Sequence, residues 1–252
     1  MLLTNRIAIV TGGARGIGRA IAIKFAGEGS AIVVVDIRAE EAAETIKQIT
    51  NINSQGLFIP CDVSNSSQVR NMIDQVITKF GKIDILVNNA AISPPENSIA
   101  DITEEEWDKV LAVNLKSVFL CCKAVLPYMK KQKYGKIINV SSLGAVSPAP
   151  FMADYAAAKS GVVALSRSIA LEAASFNICV NALLPGITRT ELHDAVIPAG
   201  MTKDEHFARA AKMVPMKRVA DPAEIADAAL FLASELSRYV TGDRILATGG
   251  LQ

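Results

Sequence analysis

Cysteine and histidine are scarce in this chain of 252 residues, which has four of the first and two of the second. Cys61, Cys121, Cys122 and Cys179 form no C-x-x-C pair and lie far in sequence from most of the His193 and His206 region, so neither zinc-ligand spacing nor a disulfide framework is present. No metal is expected. An excess of one charge is also missing: 26 Lys and Arg against 25 Asp and Glu leave a formal charge of +1. The basic residues are scattered, which argues against nucleic acid or an anionic membrane as a partner. No uninterrupted apolar run approaches the ~20 residues of a membrane span. Met1-Leu-Leu-Thr-Asn lacks the layout of a signal peptide. The expectation is a soluble, unprocessed, cytoplasmic chain without repeats or low-complexity tracts.

What is there is regular alternation. A length of 252 residues, half of them apolar, suits a single α/β domain (1–252) with both faces of its sheet covered. Arg6-Ile-Ala-Ile-Val10 reads as a buried strand running into Thr11-Gly-Gly-Ala-Arg-Gly-Ile-Gly18 and then a helix through Glu28. Strand, glycine turn and helix in that order make a dinucleotide-binding unit. Gly12 permits the tight turn, Gly16 lets backbone approach a pyrophosphate, and Gly18 allows close helix packing, while the helix N-terminus favours the anion. A second strand, Ala31–Val35, ends in Asp36, near the ~20-residue interval at which an acidic residue meets the adenosine ribose. A carboxylate there accepts from the ribose hydroxyls and repels a 2′-phosphate, so NAD is favoured over NADP. Arg15 and Arg38 pull the other way, since either guanidinium can hold a phosphate; the preferred reading is that both are solvated loop residues.

Helices over about 39–50 and 66–80 and strands at 56–60 and 83–87 continue the pattern, followed by Asn88-Asn-Ala-Ala91. This predicts a parallel sheet with right-handed crossovers, its ligand edge at the carboxyl ends of the strands, where Gly12–Gly18, Asp36, Asp62 and Asn88 fall. A long helix over about 104–131 carries Asn114 among apolar neighbours, a setting in which an Asn ordinarily satisfies a nearby backbone group. The strand 136–140 delivers Ser141 and Ser142 to the ligand edge, and the strand 178–184 ends at Pro185-Gly186. From 187 to 217 clean periodicity is lost and Pro198, Gly200 and Pro215 gather, which reads as a substrate lid. Asp221-Pro-Ala-Glu starts a last helix, and 241–250 supplies a last short strand.

Between these lies the stretch with the most chemistry, Ser142 to Lys159. Its second half reads as a buried helix, placing Tyr155 and Lys159 at i and i+4, with Cβ atoms about 5–6 Å apart. At ~5 Å and an effective dielectric near 20, a fixed ammonium favours the phenolate by about 3 kcal/mol, roughly two pKa units. Tyr155 is thereby expected to be a usable acid/base near neutral pH.

Thr11-Gly-x-x-x-Gly-x-Gly18, Asn88-Asn-Ala, Asn114, Ser142 thirteen positions before Tyr155, Tyr155-x-x-x-Lys159 and Pro185-Gly186 together resemble the short-chain dehydrogenases/reductases over essentially the whole chain. The resemblance implies a doubly wound, Rossmann-like sheet with helices on both faces, a nicotinamide dinucleotide, and hydride transfer between a secondary alcohol and a ketone. It implies a tetrad: Ser142 holding the substrate oxygen, Tyr155 exchanging its proton, Lys159 binding the nicotinamide ribose and depressing the Tyr155 pKa, and Asn114 anchoring a water relay through Lys159. It also places Asp62 and Val63 at the adenine and Asn88 and Ala90 along the cofactor. The Thr188 backbone and Thr190 side chain would hold the carboxamide and phosphates, and Arg15, Ile17, Pro185 and Gly186 join the cofactor-binding set. A homotetramer is the assembly it implies.

Two positions depart from that family's pattern: Ala91 stands where Gly is usual, and Thr248 where an Asp commonly precedes the terminal Gly-Gly. An NADPH-dependent 3-oxoacyl thioester reductase is an alternative that Asp36 opposes and Arg15 supports; a non-catalytic dinucleotide-binding regulator is opposed by the intact tetrad. Leu143, Val146, Phe151, Met152, Ile187, Val196, Ile197 and Met201 are candidate apolar walls of the substrate pocket. His193, Lys203, His206 and Arg209 share their segment with Glu191, Asp194, Asp204 and Glu205, which reads as a solvated mixed surface.

Overall fold

Ile7–Thr11 (β1) is five residues long and buried on both faces, as an apolar run inside a parallel sheet must be. Around it the computed structural model, which describes residues 1–192, 197–198 and 200–252, builds a sheet of order β3-β2-β1-β4-β5-β6-β7. The other strands are Ala31–Asp36 (β2), Gly56–Pro60 (β3), Ile85–Asn88 (β4), Gly135–Val140 (β5), Ile178–Pro185 (β6) and Arg244–Ala247 (β7), and every pairing is parallel.

Alternation along the strands divides the core in two. Ile7, Ile9, Val33 and Leu86 face one cluster, completed by Ser66–Phe80 (α3), Ser117–Gln132 (α5) and Ala153–Ala173 (α6) through Met72, Val125 and Val162. Ala8, Val10, Ile32 and Val87 face the other, with Phe25 of Gly16–Gly27 (α1), Ile49 of Ala39–Asn51 (α2) and Ile225 of Pro222–Ala233 (α8). This is the doubly wound, Rossmann-like α/β arrangement expected from the sequence. Strand order reverses beside β1, so a crevice opens at the carboxyl ends of β1 and β4. Thr11 fastens that point: its hydroxyl oxygen accepts from the Asn89 and Ala90 amides at 3.0 and 3.1 Å.

Two expectations about helices need correction. The helix expected over 104–131 is not uniform. Glu104–Leu111 (α4) passes through a π-helical segment, Ala112–Lys116, into α5, and Asn114 sits in the widened turn. Such π-turns concentrate at functional sites. By length and composition Glu104–Gln132 is apolar enough to cross a membrane, but Val118, Cys121, Cys122, Val125 and Met129 spend its apolar face on the sheet. The second correction falls within 187–217. Lys203–Met213 (α7) is a regular helix with a capping box between Thr202 and Glu205, and it buries Phe207 and Ala210.

Candidate active site

The glycine turn is shaped by contact as much as by dihedral freedom. Gly12 has φ +63°, and a Cβ there would lie 2.8 Å from the Ala90 Cα; a Cβ on Gly18 would lie 2.0 Å from the Gly12 carbonyl oxygen. Both close approaches let α1 start directly behind β1. No side chain caps the N-terminus of α1, whose N-cap is Arg15, so its first amides face the crevice.

A cleft of about 610 Å³ opens there. Gly12, Arg15, Gly16 and Ile17 form one wall, Asp36, Asp62 and Val63 the next, and Ala90 and Thr190 the far side. Asp36 ends β2 with its carboxylate fixed by two amides, from Ala14 and Arg38, both at 3.1 Å. An ionised carboxylate has about four acceptor sites, so two remain for vicinal hydroxyls. Asp62 accepts from the Ser64 amide and hydroxyl at 2.9 and 2.7 Å. Arg15 has no ion pair among the described residues, whereas Arg38 lies 3.8 Å from Glu41. An elongated cleft, an open helix N-terminus, glycines that admit close approach and a held carboxylate fit a dinucleotide.

Other expected cofactor residues stand apart from this cleft. Asn88 ends β4 with its side chain turned inward, donating to Asn139 Oδ1 at 2.8 Å and to Cys122 Sγ at 3.4 Å. Strand alternation gives the cleft to its neighbour instead: Asn89 lines it and donates to the Thr11 and Gly12 carbonyls, both at 3.1 Å. Gly18 packs behind the turn, and Pro185 and Gly186 close β6, the Gly186 amide bonding to Ala247 at 2.9 Å. Thr188 is buried, bridging Ala220 and donating from its hydroxyl to the Gly186 carbonyl at 3.0 Å. Ile37, Ser64, Lys109 and Glu191 line the cleft without having been singled out as cofactor contacts from sequence. Ile37 and Ser64 directly follow strands that end at this edge, which was the available signal; Lys109 comes from α4 by tertiary packing alone.

Tyr155 and Lys159 share one face of α6, with the Lys159 ammonium 5.8 Å from the centre of the Tyr155 ring. Lys159 is only 3% exposed. Its Nζ donates to the Val140 carbonyl at 3.0 Å, and the Ser141 hydroxyl donates to the Lys159 carbonyl at 2.8 Å, so the end of β5 holds the lysine at both ends. Ser142 accepts from the Gly144 amide at 3.1 Å, and its hydroxyl and the Tyr155 ring both flank Gly144. Burial pushes the Tyr155 phenol above the ordinary tyrosine range, against a lowering influence of the nearby Ser142 hydroxyl. Burial also pulls Lys159 down from 10.5 to about 8. The expected depression of the phenol by the ammonium is therefore not what this arrangement gives: desolvation raises the phenol, and it weakens the ammonium itself. A buried phenol and a weakened ammonium thus lie one helical turn apart on α6.

Asn114 is fully buried, and its carboxamide is spent on one residue: Oδ1 accepts from the Ile92 amide at 2.8 Å and Nδ2 donates to the Ile92 carbonyl at 2.9 Å. It thus pins the backbone that follows Asn88-Asn-Ala-Ala against the π-turn. Ala91 is not among the residues with positive φ, so its methyl carries no backbone penalty.

Comparison with known proteins agrees with this geometry. The profile of a family described as enoyl-(acyl carrier protein) reductase matches residues 12–252. A 3-oxoacyl-(acyl-carrier-protein) reductase of Staphylococcus epidermidis is 37% identical over 98% of this chain and 99% of its own. The chain belongs to the short-chain dehydrogenases/reductases. Among solved members, levodione reductase superposes with a TM-score of 0.95 at 32% identity, covering 98% of both chains. An NAD+-bound xylitol dehydrogenase superposes at 0.91 and 30% identity, covering 99% of this chain and 100% of the other. As a member of this family the protein is an oxidoreductase that binds a nicotinamide dinucleotide.

Of the residues proposed for the substrate side, Phe151 is exposed and has φ +63°, with its carbonyl accepting from the Asn97 amide at 3.0 Å. A bulky residue in that region stores strain of order 1–3 kcal/mol, a feature that clusters at functional sites. Val146 is exposed beside it in the loop before α6, whereas Ile187 lines a separate cavity with Met216 and Leu246. Arg189 pairs with Asp204 at 2.7 Å and lies over the Phe207 ring. His193, Asp194 and Val196 lie outside the described residues.

Proposed function

We propose that the protein interconverts a secondary alcohol and a ketone with NAD as its dinucleotide, Tyr155 exchanging the proton. The observation that carries this is the placement of Tyr155 beside Ser142 and one helical turn from the buried Lys159, at the same sheet edge as the glycine turn. The dinucleotide, when bound, supplies or accepts the hydride. Ser142 orients the substrate oxygen toward Tyr155. In reduction the Tyr155 Oη proton passes to that oxygen; in oxidation Tyr155 Oη takes it back, and Lys159, near 8, supports the phenolate that this direction requires. Gly12, Gly16, Ile17 and the α1 amides would hold the pyrophosphate, Asp36 the adenosine ribose, and Asp62 and Val63 the adenine. Thr190 and the backbone at Thr188 would hold the nicotinamide half.

Preference for NAD rests on Asp36, whose fixed carboxylate suits two hydroxyls and repels a phosphate. One observation favours a second reading, an NADPH-dependent 3-oxoacyl thioester reductase: Arg15 stands in the cleft without an ion pair, and the Staphylococcus epidermidis relative carries that reductase name. Residues 187–217 serve as the substrate lid in either reading. We place the protein in the cytoplasm as a homo-oligomer, a tetramer. Supporting an assembly, β7 ends the sheet with Leu246 exposed, and Phe119 and Leu171 are exposed on α5 and α6. The test is kcat/KM with NAD and NADP for sugars, hydroxy acids, steroids, simple secondary alcohols and 3-oxoacyl thioesters, followed by nicotinamide absorbance. A native preference for NADP would overturn the Asp36 assignment.

A further inference from the structure

One acidic side chain stands against the part of the cleft meant for an anion. Glu191 lines the cleft beside Gly12, Arg15 and Gly16, and its Oε2 lies 3.4 Å from the point a Cβ on Gly16 would occupy. Gly16 has φ +54° and opens α1, whose N-terminus no side chain caps. Glu191 has neither a hydrogen bond nor an ion pair among the described residues; Arg15, its cationic neighbour in the cleft, does not pair with it. A carboxylate is attracted to a helix N-terminus without needing a specific bond. The same field is what attracts a pyrophosphate.

We propose that Glu191 is a release element for the dinucleotide: its charge opposes the pyrophosphate at the α1 N-terminus and so sets how tightly, and for how long, the cofactor is held. This rests on the dinucleotide reading of the cleft and deepens it. Binding brings two negative charges to the glycine turn that Gly16 leaves open, within several ångströms of the Glu191 carboxylate. A single charge against two at about 6 Å in a water-like dielectric weakens binding by about tenfold. Most of such a change falls on the dissociation rate, because affinity differences within one site lie mainly there. Oxidoreductases commonly turn over no faster than cofactor or product leaves, so a carboxylate here trades affinity for release.

The test compares the full-length protein with Glu191→Gln and Glu191→Ala. NADH binding is read by fluorescence, its release by stopped flow, and ADP-ribose and adenosine by calorimetry. Both variants are expected to bind NADH and ADP-ribose about tenfold more tightly at low salt, to release NADH correspondingly more slowly, and to lose most of the gain at high salt. Adenosine carries no pyrophosphate, and its affinity is expected to stay unchanged. Tightening of adenosine to the same degree would overturn the proposal, because a repacked pocket and not charge would then be the cause. Unchanged or weaker NADH and ADP-ribose binding in the variants would overturn it alone, leaving the cofactor site intact. Wild-type protein that binds none of the dinucleotides would refute the site reading itself, and the proposal with it.

Discussion

Lys159→Met exchanges the buried ammonium for an apolar chain of similar length, and the structure fixes the size and pH window of the effect. Burial lowers the lysine from 10.5 to about 8, so between these values the unfolded chain binds a proton that the folded protein does not. Stability then rises with pH across that window, and below it the folded protein carries the full cost of a desolvated charge. At about 1.4 kcal/mol for each tenfold, that cost is about 3 kcal/mol near pH 7. Losing the 3.0 Å bond from the charged ammonium to the Val140 carbonyl offsets about 2 kcal/mol of the gain. Lys159→Met is therefore expected to stabilise the protein by about 1 kcal/mol at pH 7, roughly 2–4 °C in Tm for a chain of this size, and to lose that advantage by about pH 10.5. Urea unfolding of both proteins at the two pH values measures it, with NADH binding followed in parallel and expected to weaken. An equal effect at both pH values would show that packing and not charge is responsible; a destabilised variant at pH 7 would refute the desolvation argument outright.

Three further outcomes are expected. Tyr155→Phe removes the proton donor but little volume, so turnover of a confirmed substrate is expected to fall by about 10²–10⁴ while dinucleotide affinity holds; near-normal turnover would exclude the proton role. In Gly18→Ala the new Cβ would meet the Gly12 carbonyl oxygen at 2.0 Å, forcing α1 away from β1. A loss of about 1–3 kcal/mol by chemical denaturation, with weakened NADH binding, is the expected result. Limited trypsin digestion is expected to cut first among Arg189, Lys203, Arg209 and Lys212, with saturating NADH and a substrate analogue slowing those cuts; early cuts elsewhere, or ligand-independent ones, would argue that 187–217 is a fixed insertion.

Local signals were legible in the sequence and long-range ones were not. Tyr155 and Lys159 share a face because their spacing and the helix period are both local, and Asp36 reaches the cleft because a strand ends beneath it. Which of Asn88 and Asn89 faces the cleft depended on where β4 stops, and β4 runs to Asn88. The residue whose bland reading stood, Asn114, does bind backbone, but the π-turn around it needed the packing of α4 and α5 to appear. Helix α7 was missed although Thr202 and Glu205 spell a capping box; Pro198, Gly200 and Pro215 around it masked a regular helix. The Tyr155 shift was misjudged because pairwise attraction can be drawn from spacing, while desolvation requires knowing what surrounds the pair.

The two sides of the cleft are built by different means, and that difference bears on which of them can be altered alone. On the β1 and β4 side, Thr11 takes the Asn89 and Ala90 amides, Asn89 returns bonds to the Thr11 and Gly12 carbonyls, and Asn114 pins Ile92. Through Asn139 the same side reaches Ser166 on α6, the helix that carries Tyr155 and Lys159. A ligand landing there finds a surface that few local motions can alter, which is what pre-organised chemistry requires. The described chain after β6 is tied by the buried Thr188–Ala220 bridge, the exposed Arg189–Asp204 pair, the Met216 amide on Gly249 and the Phe207 and Ala210 side chains that α7 buries. An exposed ion pair is worth about 0–1 kcal/mol, so here the buried Thr188 and Phe207 contribute more than the Arg189–Asp204 pair. Thr190 and Glu191 reach the cleft from this second side. On the proposed reading of 187–217 as a lid, the segment that would gate the ligand and the side that carries the glycine turn and the Tyr155 helix are separate parts of the fold, so the first can be altered by substitution without touching the second.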